Sequence, residues 1–162
     1  MGLVRTFPEF AVPGRRYRSG AHWWPRAKIE VLALRMTLAV YPQLFTIHSF
    51  SSDTQVPAEV LSQPLFFIAK TREELSVVVD CKLELDSLEQ EEDWRCLELL
   101  GPLGFSMTGI MARVSATLAD AHVSIFTVST FDTDYILLKK DKLDTAIRAL
   151  RKQQYQVIEY GN

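Results

Sequence analysis

Cysteine and histidine are scarce: of 162 residues, two are Cys (Cys81 and Cys96) and three are His (His22, His48 and His122). Two thiols cannot build a disulfide framework, and no hydrophobic signal peptide precedes them, so a reduced, cytoplasmic setting is expected, with both cysteines as core thiols. The histidines are scattered without ligand spacing, which predicts neither a structural metal site nor a metal cofactor. No apolar run approaches the ~20 residues that a membrane span needs. A net charge of -2 gives no general electrostatic reason to expect a nucleic-acid partner. Catalytic patterns are missing too: no serine stands in a recognisable motif with a histidine and an acid, and no phosphate loop ends in Lys-Ser/Thr. The expectation is a non-catalytic protein without a cofactor.

With 48% hydrophobic and 23% charged residues, the chain reads as soluble and globular. Its charge is uneven. Residues 1–34 carry Arg5, Arg15, Arg16, Arg18, Arg26 and Lys28 against Glu9 and Glu30, whereas residues 73–98 hold ten acids against Lys82 and Arg95. The two regions attract each other in principle. Residues 1–28, broken by Pro8, Pro13, Pro25, Gly2, Gly14 and Gly20, are expected to be a disordered basic extension. Gly2 and Thr6 fit the short myristoylation pattern, and the arginine-rich composition is shared with transit peptides. Without an amphipathic helix or serine enrichment, a bland extension is the simpler reading.

Pro42 divides an apolar stretch into Val31–Tyr41 and Leu44–Ser49, predicting two strands or one bent strand. Pro57-Ala-Glu-Val-Leu reads as a short helix, and residues 65–69 and 75–79 as a hairpin. The polar, acidic segment 82–93 is the expected connection between two halves, 29–81 and 94–162. In the second half, Trp94–Leu100 alternates as a half-buried strand. Ile110, Val114, Leu118 and Ala121 form one helical face. Strands follow at 123–129 and 135–139, joined by Thr130–Asp134. Asp141 is the expected N-cap of a helix with Leu143, Ala146, Ile147 and Leu150 inward and an Asp144–Arg148 pair outward. Residues 156–160 form a last strand. Strand, helix, strand, strand, helix, strand is the ferredoxin-like order, which makes the chain α+β. The first half carries a degraded version of it, a pseudo-repeat of about 60 residues.

Function must be argued from a site rather than from that fold. Glycines at 101, 104 and 109 bracket a loop that opens a helix, where backbone N–H groups lack intrahelical partners. Such an end receives a carboxylate. Gly104, Phe105, Ser106, Met107, Thr108, Gly109 and Ile110 are therefore candidate ligand-binding residues.

Several motifs in this order resemble a family of small proteins with two ACT domains in tandem: Trp94-Arg95, Gly101 to Ile110, Ser129 to Leu137, and Thr71 to Ser76 in the first half. The resemblance covers roughly residues 36–160. It implies two ferredoxin-like (βαββαβ) ACT modules, the first degenerate, related to amino-acid-sensing ACT proteins. By that resemblance the turn holding Thr130, Phe131, Asp132 and Asp134 contributes to the pocket. Asp134 would face the ligand's ammonium and Phe131 would form a wall, with Ile47, His48 and Ser49 supplying the opposite side. Met107, Phe105 and Phe131 suit a free apolar or aromatic amino acid better than arginine, which needs a second carboxylate. Ligand would bind between halves or across a homodimer. The rivals are a ligand-free dimerisation module, the detached regulatory subunit of a metabolic enzyme, and an RNA-binding domain. The last lacks its aromatic platform, since Tyr135 alone occupies the strand at 134–139.

Overall fold

The computed structural model describes residues 36–100 and 108–160. Seven strands, β1 (Thr37–Ser51), β2 (Phe67–Lys70), β3 (Glu74–Asp80), β4 (Glu89–Leu100), β5 (Ile125–Ser129), β6 (Asp134–Lys139) and β7 (Gln156–Glu159), form one sheet. Among the described residues three α-helices accompany them: α1 (Ala58–Leu61), α2 (Ile110–Asp120) and α3 (Leu143–Lys152). The expected α+β order of strands and helices is present. The expected extension at 1–28 lies outside the described residues.

The apolar stretch interrupted by Pro42 is one bent strand. The four-residue step from Val40 to Leu44 on β1 opposes the two-residue step from Leu97 to Arg95 on β4, so the extra residues, Pro42 among them, are extruded as a bulge. On its two sides β1 has different partners. Along one edge it runs antiparallel to β4 for nearly its whole length. Along the other, Phe45–Ser51 pair with β3 and Thr37–Val40 pair in parallel with β7. A closed ferredoxin-like module would place its last strand beside its first. Here β1 stands between β4 and β7, so the first strand of the chain is built into the second half.

That arrangement revises the expected connection over 82–93: from Glu89 onward the chain is already strand. Ser49 pairs with Glu89 and His48 with Gln90. The segment has no apolar alternation to reveal it, because Glu89–Asp93 are all exposed. Between Phe45 and Ile47 the register slips by one on β4, and Asp93 absorbs the slip with φ 62°.

All three helices lie over one face. Leu38, Val40, Leu97, Leu99, Ile136 and Leu138 from the strands meet Ile110, Val114 and Leu118 of α2 and Ala146 and Leu150 of α3, all buried. At the other end of the same face, Val60 of α1 packs with Phe50, Leu75, Val77 and Val79. The opposite face carries Phe45, Val78, Cys96 and Leu137, rimmed by half-buried rings including Tyr41, Phe67, Trp94, Phe126 and Tyr135. No helix residue belongs to this third cluster.

Three local expectations are corrected. Asp141 caps nothing: Lys140–Lys142 form a 3-10 turn, and α3 begins at Leu143 without a side-chain cap. Arg148 donates from Nη2 to Thr145 Oγ1 at 3.2 Å rather than pairing with Asp144, the hydroxyl one turn back being within its reach. Cys81, expected in the core with Cys96, is exposed just past the end of β3. Cys96 is buried, and burial, with the nearby Glu98 charge, pushes its thiol up to about 12.

Because β1 joins both packed regions of the helical face, a cavity in it should weaken both together. Leu38→Ala should cost about 2–5 kcal/mol. Urea unfolding followed by circular dichroism and tryptophan fluorescence should still give one coincident transition. Two separated transitions would mean that the halves fold independently.

Candidate functional site

Antiparallel pairing gathers four chain features at one end of the sheet. Thr37 at the start of β1 pairs with Leu100 at the end of β4, and with Gln156 at the start of β7. Ser129 and Asp134 close the β5–β6 hairpin at this end. The loop after Leu100 leads to α2, whose first residue, Ile110, is buried in the core with Leu99. Of the expected loop residues, Gly104, Phe105, Ser106 and Met107 lie outside the described residues. Thr108 and Gly109 are exposed.

Gly109 is the N-cap of α2, with φ 78° and ψ 10°. That is the left-handed region, which costs an L-residue roughly 1–2 kcal/mol and glycine nothing. Space is not the constraint, since a Cβ there would meet nothing within 4 Å. Among the described residues no side chain caps α2 and no acid sits in its first turn, and N–H groups at a helix N-terminus are able to bind an anion.

The hairpin turn is built by threonine. Thr130 N–H and its Oγ1–H both donate to the Thr133 carbonyl, at 2.9 and 3.0 Å, and Oγ1 accepts the Thr133 N–H at 3.3 Å. Thr133 Oγ1 donates to the Leu99 carbonyl, fastening the turn to the end of β4 next to the loop. Asp134 is half-buried and accepts from Ser129 Oγ at 2.5 Å through Oδ1. Phe131 is 77% exposed and Asp132 is exposed beside it. Thr133, absent from the expected site, thus positions the turn; the only trace of this in sequence is the Thr-x-x-Thr spacing.

Ile47, His48 and Ser49 do not face this turn within the chain. They lie on the far part of β1, roughly 30 Å of strand from Thr37. Their pairing with β3 and with the acidic start of β4 holds them there. His48 is buried between those strands, with Nδ1 3.0 Å from Ser87 Oγ and Nε2 without a partner. Burial lowers its pKa, and the Glu92 charge opposes this only in part. It is a core histidine.

A depression of about 630 Å³ lies elsewhere, lined by Ser115 and Ala119 of α2, by His122 to Ser124, and by Ile125 of β5. Its walls offer neither a carboxylate nor a helix N-terminus, so it lacks the paired charges that a zwitterion needs. Among the described residues no cluster of His, Cys, Asp or Glu could hold a metal ion, and no helix is long and apolar enough to cross a membrane.

Two stability measurements check this geometry. Gly109→Ala should destabilise by about 1–2 kcal/mol through φ alone, and Gly109→Asn by less, in chemical denaturation. For His48, the folded-state pKa lies below the ordinary 6.5. As pH falls below that value the unfolded chain takes up a proton that the folded chain resists. Its stability contribution is therefore full above the ordinary value and declines as pH falls through the folded one. His48→Leu should flatten the pH dependence of the unfolding midpoint in that window; an unchanged slope would place the acid sensitivity elsewhere.

Residues 89–152 match the ACT domain family model, beginning where β4 begins. The chain is 30% identical over 120 residues to the human cytosolic arginine sensor for mTORC1 subunit 1, covering 68% of this chain and 36% of that protein. The mouse counterpart is 29% identical over the same length. The chain thus spans about a third of the length of these curated relatives. Among solved structures, a crystal structure of an Agobacterium tumefaciens protein superposes with a TM-score of 0.73 at 26% identity, covering 79% of this chain and 96% of that one. The regulatory subunit of aspartate kinase from Thermus flavus shares the fold, with a TM-score of 0.54 at 12% identity over 72% of this chain and 95% of that one. Residues 89–152 thus carry an ACT-domain match, and the chain is homologous to part of the cytosolic arginine sensors.

Proposed function

We propose that the protein is a non-catalytic regulatory protein that binds a free amino acid. The observation that carries this reading is the meeting, at one end of the sheet, of an uncapped helix N-terminus behind Gly109 and the threonine-built turn of Thr130–Asp134. A zwitterion needs both an anion receptor and a carboxylate. The α2 terminus and the loop before it take the ligand carboxylate, and Asp134 takes the ammonium, with Ser129 orienting its other lone pairs. Phe131 provides a wall.

In this reading the chain comprises a degenerate first ACT module and a complete second one, with β1 shared between them. Ligand bridges modules of two chains, because Ile47, His48 and Ser49 of the same chain lie roughly 30 Å of strand from the turn's end of the sheet. Binding then acts by linkage: a ligand that bridges two modules favours the bridged arrangement by its differential affinity and nothing more. Phe131, together with Phe105 and Met107, favours an apolar or aromatic amino acid. The alternative ligand is arginine, favoured by the homology to cytosolic arginine sensors. It would use Asp132 beside Asp134 as the second carboxylate.

Thermal unfolding of the full chain with each of the twenty amino acids at millimolar concentration tests the proposal. A ligand at a hundred times its dissociation constant adds about 2.7 kcal/mol, which is several degrees at this size. One amino acid or one chemical group should raise the midpoint, and Asp134→Ala and Gly109→Val should abolish the shift. An arginine-only response would replace the apolar preference. No response to any of them would leave the ligand-free dimerisation module as the better account.

A further inference from the structure

The sheet face that carries no helix among the described residues is not a plain apolar surface. Its central strand, β4, presents Glu89, Glu91, Trp94, Cys96 and Glu98 toward it, as the pairings with Ser49, Ile47, Phe45 and Ala39 require. Glu98 sits among rings: Tyr41 and Tyr160 each donate a phenol hydrogen bond to its Oε2, at 2.8 and 2.6 Å. The rings of Tyr41 and Tyr160 are 4.6 Å apart and those of Tyr41 and Tyr135 are 6.4 Å apart. Burial first, then the Glu98 hydrogen bond and charge, push the Tyr160 phenol up to about 12 and raise that of Tyr41. These phenols stay protonated and act as donors to Glu98.

One cation already shows how this face is used. Lys139 Nζ lies 4.6 Å from the Trp94 ring centroid and 2.6 Å from Glu91 Oε2. A carboxylate beside an aromatic ring is a receptor for a guanidinium or ammonium. Glu98 with its tyrosines repeats that pattern, and among the described residues no cation pairs with it.

We infer that the chain's own basic stretch, residues 15–28, docks across this face, with its arginines on Glu98 and Glu89 and with Trp23 and Trp24 against the tyrosine and phenylalanine rings. Three observations select this occupant. Its composition is complementary: Arg15, Arg16, Arg18, Arg26 and Lys28 contain no acid among them and flank the Trp pair. Its tether is short: Lys28 and Arg26 precede Met36 by eight and ten residues, roughly 30 Å of extended chain. Glu98 pairs with Ala39, only two residues into β1, so the tether enters at the rim of the face. A second copy meeting this face about a twofold axis would set the acidic stripe of one chain against the same stripe of the other. The inference stands apart from the amino-acid reading, since it uses neither the loop before α2 nor the Thr130–Asp134 turn.

Limited trypsin digestion of the full chain, with initial cleavage rates at Arg15, Arg16, Arg18, Arg26 and Lys28 read by mass spectrometry, tests it. Docking should slow cleavage at these sites about tenfold relative to Glu98→Gln combined with Glu89→Gln, in proportion to the undocked population. Salt at roughly 1 M, where the Debye length is ~3 Å, should remove most of that protection from the unmodified protein. Equal rates in the unmodified protein, at low and high salt, and in a variant with an unchanged circular dichroism spectrum would overturn the inference. Protection that grows with protein concentration would also overturn it, by assigning the face to a second copy.

Discussion

Everything in this fold depends on β1 being paired on both sides along its length. A 15-residue strand exposes two rows of backbone donors and acceptors, and each must be satisfied if the strand is to be buried. One row is met by β4 alone. The other is met by β3 and β7, which pair with Phe45–Ser51 and Thr37–Val40 respectively. The bulge at Tyr41–Gln43 lets a single strand serve both, because Pro42 has no N–H to give to a continuous ladder.

Two consequences follow for function. β1 fixes where β4 ends, and so where the loop toward α2 begins, while Thr133 fastens the β5–β6 turn to the same place. The candidate site is thus assembled from segments about thirty residues apart by a sheet end, not by a local motif. The second consequence is asymmetry. Among the described residues the helices cover one face, and on the other Phe45, Val78, Cys96 and Leu137 are rimmed by Ile47, Leu65 and large rings beside an acidic stripe. The chain thus presents two surfaces of different chemistry.

Where local physics dominates, the residues announce their structure. The α2 stripe of Ile110, Val114 and Leu118, the β2–β3 hairpin, and the glycine that must hold positive φ at 109 are all readable, because periodicity and backbone sterics act over a few residues. Misreadings cluster where a distant partner decides. Glu89–Asp93 look like a linker and become strand because β1 lies alongside. Asp141 looks like a cap, yet a 3-10 turn moves the helix start past it. Cys81 resembles a core thiol but falls just beyond the edge of β3. Ile47, His48 and Ser49 look like a strand end near the ligand; pairing with β3 carries them to the far part of the sheet.

By itself, then, the sequence determined the α+β class, the order of elements, the ACT resemblance and the glycine-hydroxyl composition of the candidate site. These rest on short-range periodicity, turn chemistry and motif spacing. Only the tertiary structure decided that β1 inserts between β4 and β7, that Thr133 ties the turn to Leu99, and that Glu98 lies among tyrosines on an open face. Those facts depend on strand register, and register is set by which side chains meet across the sheet rather than by any residue's neighbours in the chain.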